Sequence, residues 1–464
     1  MSMRKALIGL GVILTLAGRS PALAGAKDES MADWFPLISP EFNAWRNALA
    51  DKGFALGMTY IGDMIGNVSG GFKRGVIYQG RLDLGIDADF DKLVGWQGAK
   101  MHANLFQIYG HGLTRSSIGN IAPISEIEAL PDTRLYEAYI EQSFGNWLSF
   151  KVGQQAADTE FFDSKTDDLF INGTFGWPAI KASNLPAGGP SPPIAAVGAR
   201  AKAKVTEEVT AFAAIFNGNA AGPGNGEPQL RDNHGLAFRV TDAPWLIGQV
   251  QFDFTLDLGT GKLPGNFTPG GWYHTGQFDD QRFTASGVSL ADPLGSGVPG
   301  KLRGNYGIFG VLEQTLYRPA GAGESRETTA TEPGVTAFAR AAYSPPDRNL
   351  IDLYADAGIG FNGMIPGRPL DRFGAAMAYM HVSSGAQRLD RDTQLFTGAL
   401  SPIRSNETLV EVIYEAHIKP GWLVAPYFQY VFRPSGGVPN PIDPTGISRI
   451  GDAAVFGLTT TFKY

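Results

Sequence analysis

The chain ends with the stretch DAAVFGLTTTFKY, residues 452–464, in which every second residue is apolar or compatible with lipid. Successive side chains of a β-strand point to opposite faces, so this alternation predicts a strand with one apolar face. Chain ends are usually polar and frayed. A final strand that closes on an aromatic residue therefore indicates a membrane barrel whose last strand, ending at Tyr464, is recognised by barrel-insertion machinery. The apolar set is Ala454, Phe456, Leu458, Thr460, Phe462 and Tyr464.

The same alternation recurs along most of the chain. In residues 78–90, for example, Leu82, Leu84 and Ile86 alternate with polar residues or glycine. Many segments have the length of about 9 to 13 residues that crosses a bilayer at a tilt. Seventeen segments show the pattern, and because single-chain bacterial barrels have even strand counts, the sequence predicts sixteen or eighteen strands. The segments are 54–66, 78–90, 98–110, 133–144, 148–156, 197–205, 209–217, 234–240, 246–256, 267–277, 304–317, 334–343, 349–361, 371–382, 408–418, 421–433 and 452–464.

The connections between these segments fall into two length classes. Short turns on one rim and long loops on the other are typical of outer-membrane barrels. A soluble sandwich or propeller also alternates, but the strand lengths and the tryptophans near strand ends (Trp96, Trp147, Trp272 and Trp422) favour a membrane. The fold predicted is an all-β transmembrane antiparallel barrel. The short turns are 145–147, 206–208, 344–348 and 419–421, and the long loops are 111–132, 157–195, 218–233, 278–303, 383–405 and 434–451.

The N-terminal region has the features of an export signal. Arg4 and Lys5 precede an apolar run that is too short to span a bilayer, and Ala22-Leu23-Ala24 is a cleavage site of the usual type. The sequence predicts three parts: a signal peptide over 1–24, a periplasmic segment over 25–53 with a short helix at 39–53, and a barrel over 54–464.

Charge and composition exclude several functional classes. Removing residues 1–24 would leave 35 basic and 45 acidic residues, a net charge of −10, which argues against a nucleic-acid partner. The chain has no Cys, and its six His lack the paired spacing of metal-binding motifs. Neither a nucleophile elbow nor a P-loop is present. The sequence therefore predicts no enzymatic activity, no cofactor and no metal. The adjacent Asp279 and Asp280 fit a solvated loop better than a calcium-like or loop-capping pair of carboxylates.

Strand parity assigns a polar set of residues to the inside of the barrel. A lumen lined by both signs of charge, amides and tyrosine hydrogen-bonds hydroxyl groups well, whereas a strongly ion-selective pore would carry one sign. The inward set is Arg81, Asp83, Asp87, Lys100, His102, Asn104, Glu137, Tyr139, Glu141, Lys151, Gln155, Arg200, Lys202, Lys204, Arg239, Gln249, Gln251, Asp352, Asp356, Glu411 and Gln429.

Several long blocks of the chain resemble the carbohydrate-selective porins, the OprB family. The resemblance implies a sixteen-stranded, monomeric outer-membrane channel of a Gram-negative bacterium, with a short periplasmic helix, that passes glucose and related sugars by diffusion. It decides the strand count in favour of sixteen. Lipid, lipopolysaccharide and the insertion machinery are the further partners expected. The blocks are 69–114, 120–144, 152–200, 270–283, 305–319, 344–374 and 430–464.

The resemblance also implies charged and aromatic residues at a constriction. Segment 157–195 is long enough to fold into the lumen, where an aromatic face would stack on a pyranose while charged groups bind its hydroxyls. For Trp177 the alternative is a packed anchor of the loop. A general or organic-acid-selective porin on the same scaffold is the alternative function. The candidate constriction residues are Arg81, Glu137, Glu141, Lys151, Gln155, Glu160 and Trp177.

Overall fold

Sixteen antiparallel strands form one closed barrel in which each strand pairs with its sequence neighbours and β1 pairs with β16. The computed structural model describes residues 31, 40–257, 259, 261–319 and 332–464. The strands are β1 Phe54–Gly71, β2 Gly75–Asp89, β3 Ala99–Gly110, β4 Asp132–Phe144, β5 Leu148–Gln155, β6 Ala196–Lys204, β7 Val209–Phe216, β8 Trp245–Asp257, β9 Lys262–Thr284, β10 Pro299–Tyr317, β11 Gly334–Tyr343, β12 Ile351–Asn362, β13 Arg372–Val382, β14 Asn406–Lys419, β15 Trp422–Phe432 and β16 Gly451–Lys463. The all-β barrel and the count of sixteen are confirmed.

The terminal strand closes the barrel as its alternation predicts. Phe456 and Leu458 are exposed on the outer face, whereas Val455 is buried inside. Tyr464 continues the seam, because its N–H donates to the Met58 carbonyl at 2.8 Å and its carbonyl accepts from the Met58 N–H at 3.3 Å. Closing the sheet in this way leaves no unpaired edge strand, which a bilayer would not tolerate.

Short helices lie at the N-terminus and in the connections. The predicted helix at 39–53 is present as α1, and Phe42 of α1 packs 6.4 Å from the Tyr464 ring. The predicted signal peptide and residues 25–30 and 32–39 lie outside the described residues. No helix among the described residues is long and apolar enough to cross a membrane. The helices are α1 Pro40–Lys52, α2 Phe90–Val94, α3 Gly173–Gly176, α4 Ala179–Asn184, α5 Pro228–Arg231 and α6 Ser384–Thr397.

The predicted strand at 234–240 is wrong. It lies in the loop between β7 and β8, where His234 and Phe238 have positive φ angles of 57° and 43° that an extended strand does not allow. Arg239 is therefore not a lumen-facing strand residue, and its Nε instead donates to Asp242 Oδ2 at 2.9 Å.

The rim pattern needs three further corrections. The connection at 344–348 follows the end of β11 and so lies on the long-loop rim despite its length. The loop predicted at 278–303 shrinks to 285–298 because β9 and β10 extend into it. The loop at 383–405 has the predicted bounds and contains α6. Trp272 is buried and stacks on Phe309 at 6.1 Å, so it is not part of an outer aromatic girdle.

The long connection between β5 and β6, residues 156–195, folds into the lumen and is called the inner loop here. Its aromatic side chains pack on the inner face of the barrel: Phe162 lies 4.6 Å from Phe309 of β10, and Phe170 lies 6.1 Å from Phe338 of β11. The main hydrophobic cluster of the described residues is therefore shared between this loop, the loop after β3 and a wide arc of the barrel that runs from β6 through β16 to β1.

Candidate functional site

Carboxylates on the barrel wall hold the backbone of the inner loop. Glu411 of β14 accepts the N–H groups of Ile171 and Asn172 at 2.7 and 2.9 Å. Glu313 of β10 accepts the Thr166 N–H at 2.8 Å. Each carboxylate oxygen satisfies a backbone donor that would otherwise be buried without a partner, which is costly.

Glu407 of β14 does the same for two other loops. Its carboxylate accepts the N–H groups of Ile121 and Ala122 at 2.7 and 3.0 Å. It also accepts the Ser435 N–H at 2.7 Å. One buried wall residue thus ties the loop after β3 to the loop before β16.

Arg340 of β11 lies at the centre of this attachment. Its guanidinium forms ion pairs with Asp167 of the inner loop and with Asp356 of β12, and the side chains of all three residues have no solvent exposure. Its Nη1 also donates to the Phe162 carbonyl at 3.1 Å. Arg340 and the wall glutamates Glu313 and Glu411 are called the sealed wall below.

The opposite attachment of the inner loop is an ion network on β4, β5 and β6, called the latch. Glu160 of the loop receives two bonds of 2.7 Å from the Arg200 guanidinium, a bidentate arrangement that is among the strongest ion pairs. Lys151 lies 3.4 Å from Glu160, and Arg200 also reaches Glu141 at 2.9 Å. The side chains of Glu141 and Glu160 remain 22% and 14% exposed.

The charge of the latch determines the ionisation of Glu160. Burial raises the pKa of this carboxyl group, but the positive charges of Lys151 and Arg200 outweigh burial and lower the pKa to about 2. Glu160 is therefore an acceptor at neutral pH, with its two oxygens beside three hydrogen-bond donors.

A second polar group lies next to the latch on β2, β4 and β5. The guanidinium of Arg81 lies 4.6 Å from the centre of the Phe106 ring. Glu137 accepts the Ala156 N–H at 2.8 Å and so fixes the start of the inner loop. Gln155 donates to the Gly198 carbonyl at 3.0 Å. Arg81, Glu137 and Gln155 are buried, so they support the lumen wall more than they line open space.

Trp177 is packed inside the inner loop. Its Nε1–H donates to the Gly188 carbonyl at 2.8 Å, and the residue is 7% exposed. One ring face is covered by the Lys181 ammonium at 3.6 Å from the ring centre. Burial lowers the pKa of Lys181, and the Arg340 charge lowers it further. Because stacking on a sugar needs a free ring face, this geometry favours the loop-anchor alternative for Trp177.

A cleft of about 790 Å³ opens among the long loops. It is lined by residues of the loop after β3, of the inner loop and of the loop after β7, and Trp177 contributes to its wall. An ion pair between Arg115 and Glu227 joins two of these loops, and the Leu130 N–H donates to Gln229 Oε1 at 2.7 Å. The cleft lies on the long-loop rim and is large enough for a small sugar.

Two acidic groups bear on the question of metals. Carboxylate oxygens of Asp163, Asp167 and Asp168 lie within 4.8 Å of one another, but Asp167 is paired with Arg340. Asp280 Oδ1 accepts the N–H groups of Arg282 and Phe283, both at 2.8 Å. Asp280 therefore binds backbone N–H groups near the end of β9 and does not lie in the solvated loop that the sequence favours.

Of the candidate constriction residues, the structure brings Glu141, Lys151 and Glu160 together. It adds Arg200, which strand parity places inside but the sequence does not single out. The sealed wall was not predicted as a site. Strand parity does place Glu411 inside the barrel. No sequence pattern predicts which backbone amides of a loop will bind a carboxylate on the wall, because these contacts join residues more than 140 positions apart.

The chain is similar to known proteins along nearly its whole length. The family model described as "Carbohydrate-selective porin, OprB family" matches residues 73–464. Porin B of Pseudomonas aeruginosa is 23% identical over 455 residues, which cover 93% of this chain and 94% of that protein.

Two solved structures of Pseudomonas putida OprB share the fold. The high-pH structure matches with a TM-score of 0.79 and 21% identity, covering 95% of this chain and all of the other. The low-pH structure matches with a TM-score of 0.52 and 15% identity, covering 92% of this chain and 98% of the other.

Proposed function

The chain belongs to the carbohydrate-selective porin (OprB) family and is an outer-membrane sugar porin, and we propose that it admits glucose and related small sugars by passive diffusion. The observation that carries this proposal is the latch. It places carboxylate oxygens and cationic N–H groups side by side, with Glu141 and Glu160 partly exposed. Sugar hydroxyl groups both donate and accept hydrogen bonds, so they can replace their hydrogen bonds to water with hydrogen bonds to such a mixed surface.

The long-loop rim faces the outside of the cell in this proposal, and the rim with α1 faces the periplasm. This orientation is the usual one for outer-membrane barrels, whose periplasmic turns are short. Export would require removal of residues 1–24, and insertion would use the strand ending at Tyr464. The channel is proposed to act as a monomer, without cofactor, metal or catalysis.

Sugar would enter through the cleft between the long loops and pass the latch. Glu141 and Glu160 would accept hydrogen bonds from sugar hydroxyl groups, while Lys151 and Arg200 hold the two carboxylates in place. Arg81, Glu137 and Gln155 would keep the adjacent wall and the start of the inner loop in position, and Trp177 would keep the loop packed. Each contact with sugar must be weak, because tight binding would stop the flux.

An organic-acid channel is less well supported. Such a channel needs cationic groups that are available to the anion, and both latch cations are already paired with carboxylates. An organic acid would have to compete with Glu160 and Glu141 for them.

The test is single-channel conductance of the purified protein in a planar bilayer, with glucose titrated on the long-loop side. We expect glucose to block the ion current partially and in proportion to its occupancy, and succinate at the same concentration to block less. Block by succinate that equals or exceeds block by glucose would overturn sugar selectivity. A folded protein that forms no channel would overturn the porin function itself.

A further inference from the structure

Four exposed cationic side chains cluster at the long-loop rim, where the first and last strands meet. Lys73 and Arg74 form the tip between β1 and β2, and Arg433 and Arg449 lie in the loop between β15 and β16. We propose that this cluster, the basic rim patch, binds the phosphate groups of the lipid A part of lipopolysaccharide. The proposal does not depend on which solute crosses the channel.

The barrel seam brings the four residues together. Gly71 of β1 pairs with Gly451 of β16. A Cβ atom on Gly70 would lie only 1.7 Å from the carbonyl oxygen of Asp452, so the two backbones touch just below the tip. A Cβ atom on Gly119 would lie 3.0 Å from Ile450 and 3.2 Å from Phe72, so the residue before Lys73 and the residue after Arg449 lie close together.

Hydrogen bonds fix the backbone of the patch while leaving its side chains exposed. The Lys73 N–H donates to the Ser117 carbonyl at 3.0 Å, and the Lys73 carbonyl accepts from Asn67 Nδ2 at 2.8 Å. On the other side of the seam, Asp452 Oδ1 accepts the Arg433 N–H at 2.9 Å. A backbone held in this way presents the cations with little further loss of conformational entropy.

Asp452 also orders the side chain of Arg449, whose Nη1 lies 3.1 Å from the same Oδ1 atom. The side chain of Arg433 donates from Nη1 to Ser405 Oγ at 2.9 Å, and Arg433 as a whole remains exposed. Both guanidinium groups are therefore positioned, and each has several further N–H donors.

The patch lies at the boundary of the lipid-facing surface. Val76 and Tyr78 of β2 are 69% and 53% exposed, and Val76 is two residues from Arg74. Phe432, also exposed, directly precedes Arg433. An exposed apolar and aromatic surface on a membrane barrel faces lipid, so the cations that border it lie at the depth of the lipid headgroups.

Local charge distinguishes this sector from the rest of the molecule. The chain as a whole carries a net charge of −7, so it has no general attraction for acidic lipid. At another place on the long-loop rim, Lys301 and Arg348 are each paired with a neighbouring aspartate, Asp279 and Asp347. In the basic rim patch, Asp452 pairs with the side chain of Arg449 and accepts the Arg433 N–H. The carboxylate of Asp443 in the same loop accepts from Ser448 and Thr445.

Phosphate is the ligand chemistry that suits this arrangement. Arginine forms bidentate bonds with phosphate oxygens, and lysine supplies a point charge. Lipopolysaccharide is the anionic lipid of the leaflet that the long-loop rim faces in the proposed orientation, and the phosphates of its lipid A lie at the headgroup level. A free phosphate ion would gain nothing from the adjoining apolar surface.

The experiment compares the binding of two lipids to the full-length protein purified in detergent, measured by native mass spectrometry. One lipid is lipid A with both phosphates, and the other is the same lipid without phosphate. The test variant is Lys73→Gln/Arg74→Gln/Arg433→Gln. A matched control, Lys52→Gln/Lys92→Gln/Lys262→Gln, removes three exposed lysines from the opposite rim.

We expect the phosphorylated lipid to bind more tightly than the dephosphorylated lipid, and the test variant to lose about 100-fold in affinity for it, about fivefold for each charge removed. The control should lose little. Channel conductance in a planar bilayer, unchanged in both variants, would show that the barrel is folded. Equal binding of the two lipids, or equal losses in the test and control variants, would overturn the proposal.

Discussion

The inner loop is attached to the barrel in two ways that differ in exposure and in chemistry. At the sealed wall, Arg340 and its two aspartates are fully buried, and glutamates bind backbone amides. At the latch, Glu160 and Arg200 meet as a bidentate ion pair whose edge, with Glu141, is open to the lumen. The same kinds of residue serve as core on one side and as channel lining on the other.

This difference shows how a polar lumen can be both stable and permeable. A buried ion pair costs much desolvation and is strongly destabilising when one partner is removed. The latch is less completely sealed, because the side chains of Glu141 and Glu160 remain 22% and 14% exposed although that of Arg200 is buried. The wall that holds the loop is therefore separate from the surface that contacts solute, and substitutions in the two regions should have different consequences.

The largest effect is expected from Arg340→Met. The substitution leaves Asp167 and Asp356 buried without their shared cation, which should lower the free energy of unfolding by about 3–5 kcal/mol. Urea denaturation followed by tryptophan fluorescence measures this change. The control is Lys301→Met, which breaks the exposed pair with Asp279 and should cost no more than about 1 kcal/mol. Equal losses in the two variants would contradict a distinction based on burial.

A smaller effect is expected from Glu411→Gln. The side-chain amide has one oxygen for the two N–H groups of Ile171 and Asn172, so one buried donor loses its partner, at about 1–3 kcal/mol. Hydrogen exchange at residues 171 and 172 should become faster than in the wild type. Glu207→Gln, at an exposed turn on the opposite rim, is the control. Unchanged exchange at these two amides would show that Glu411 does not hold the loop.

The latch variant Glu160→Gln should mainly change transport. It removes one negative charge at the lumen edge, so the channel should become less cation-selective. Block of the current by glucose should weaken about two- to fivefold, which corresponds to the loss of an interaction worth up to about 1 kcal/mol. Reversal potentials and current block in a planar bilayer measure these changes. Glu208→Gln, at the turn between β6 and β7, should alter neither. If glucose block survives Glu160→Gln undiminished, the latch is not part of the sugar path.

The pH dependence of the latch follows from the lowered pKa of Glu160. Because the folded-state pKa is about 2 and the ordinary value is 4.5, its stabilising contribution is complete above pH 4.5 and is lost as the pH falls from about 4.5 to about 2. Block by glucose depends on the ionisation of Glu160 in the folded protein, so it should be constant from pH 7 down to about pH 3 and decline only as the pH approaches about 2. A decline between pH 7 and pH 5 that Glu160→Gln abolishes would contradict this ionisation.

The smallest effect on glucose block is expected from Trp177→Phe. The change removes the hydrogen bond to the Gly188 carbonyl and should cost about 0.5–1.5 kcal/mol of stability. Block should stay at the wild-type level, because one ring face is already covered by Lys181. A several-fold loss of block in the folded variant would restore Trp177 as a sugar-stacking residue.

Strand parity predicted much of the barrel because alternation depends only on neighbouring residues. It placed Glu141, Lys151, Arg200 and Glu411 inside, where the structure has them. It failed at 234–240, where the residues alternate but no neighbouring strand pairs with them. Pairing is a property of two segments, and one segment alone does not reveal it.

The sequence by itself determined the class of the fold, the inward polar set apart from Arg239, and the strand that closes the barrel, since each follows from a period of two residues. The strand count came from the family resemblance. Only the tertiary structure decided which inward residues hold the inner loop and which remain open to solute. The inner loop covers the part of the barrel wall that carries Arg340, and it leaves the side chain of Glu141 partly exposed. Burial, set by contacts between distant segments, separates a structural ion pair from a channel lining.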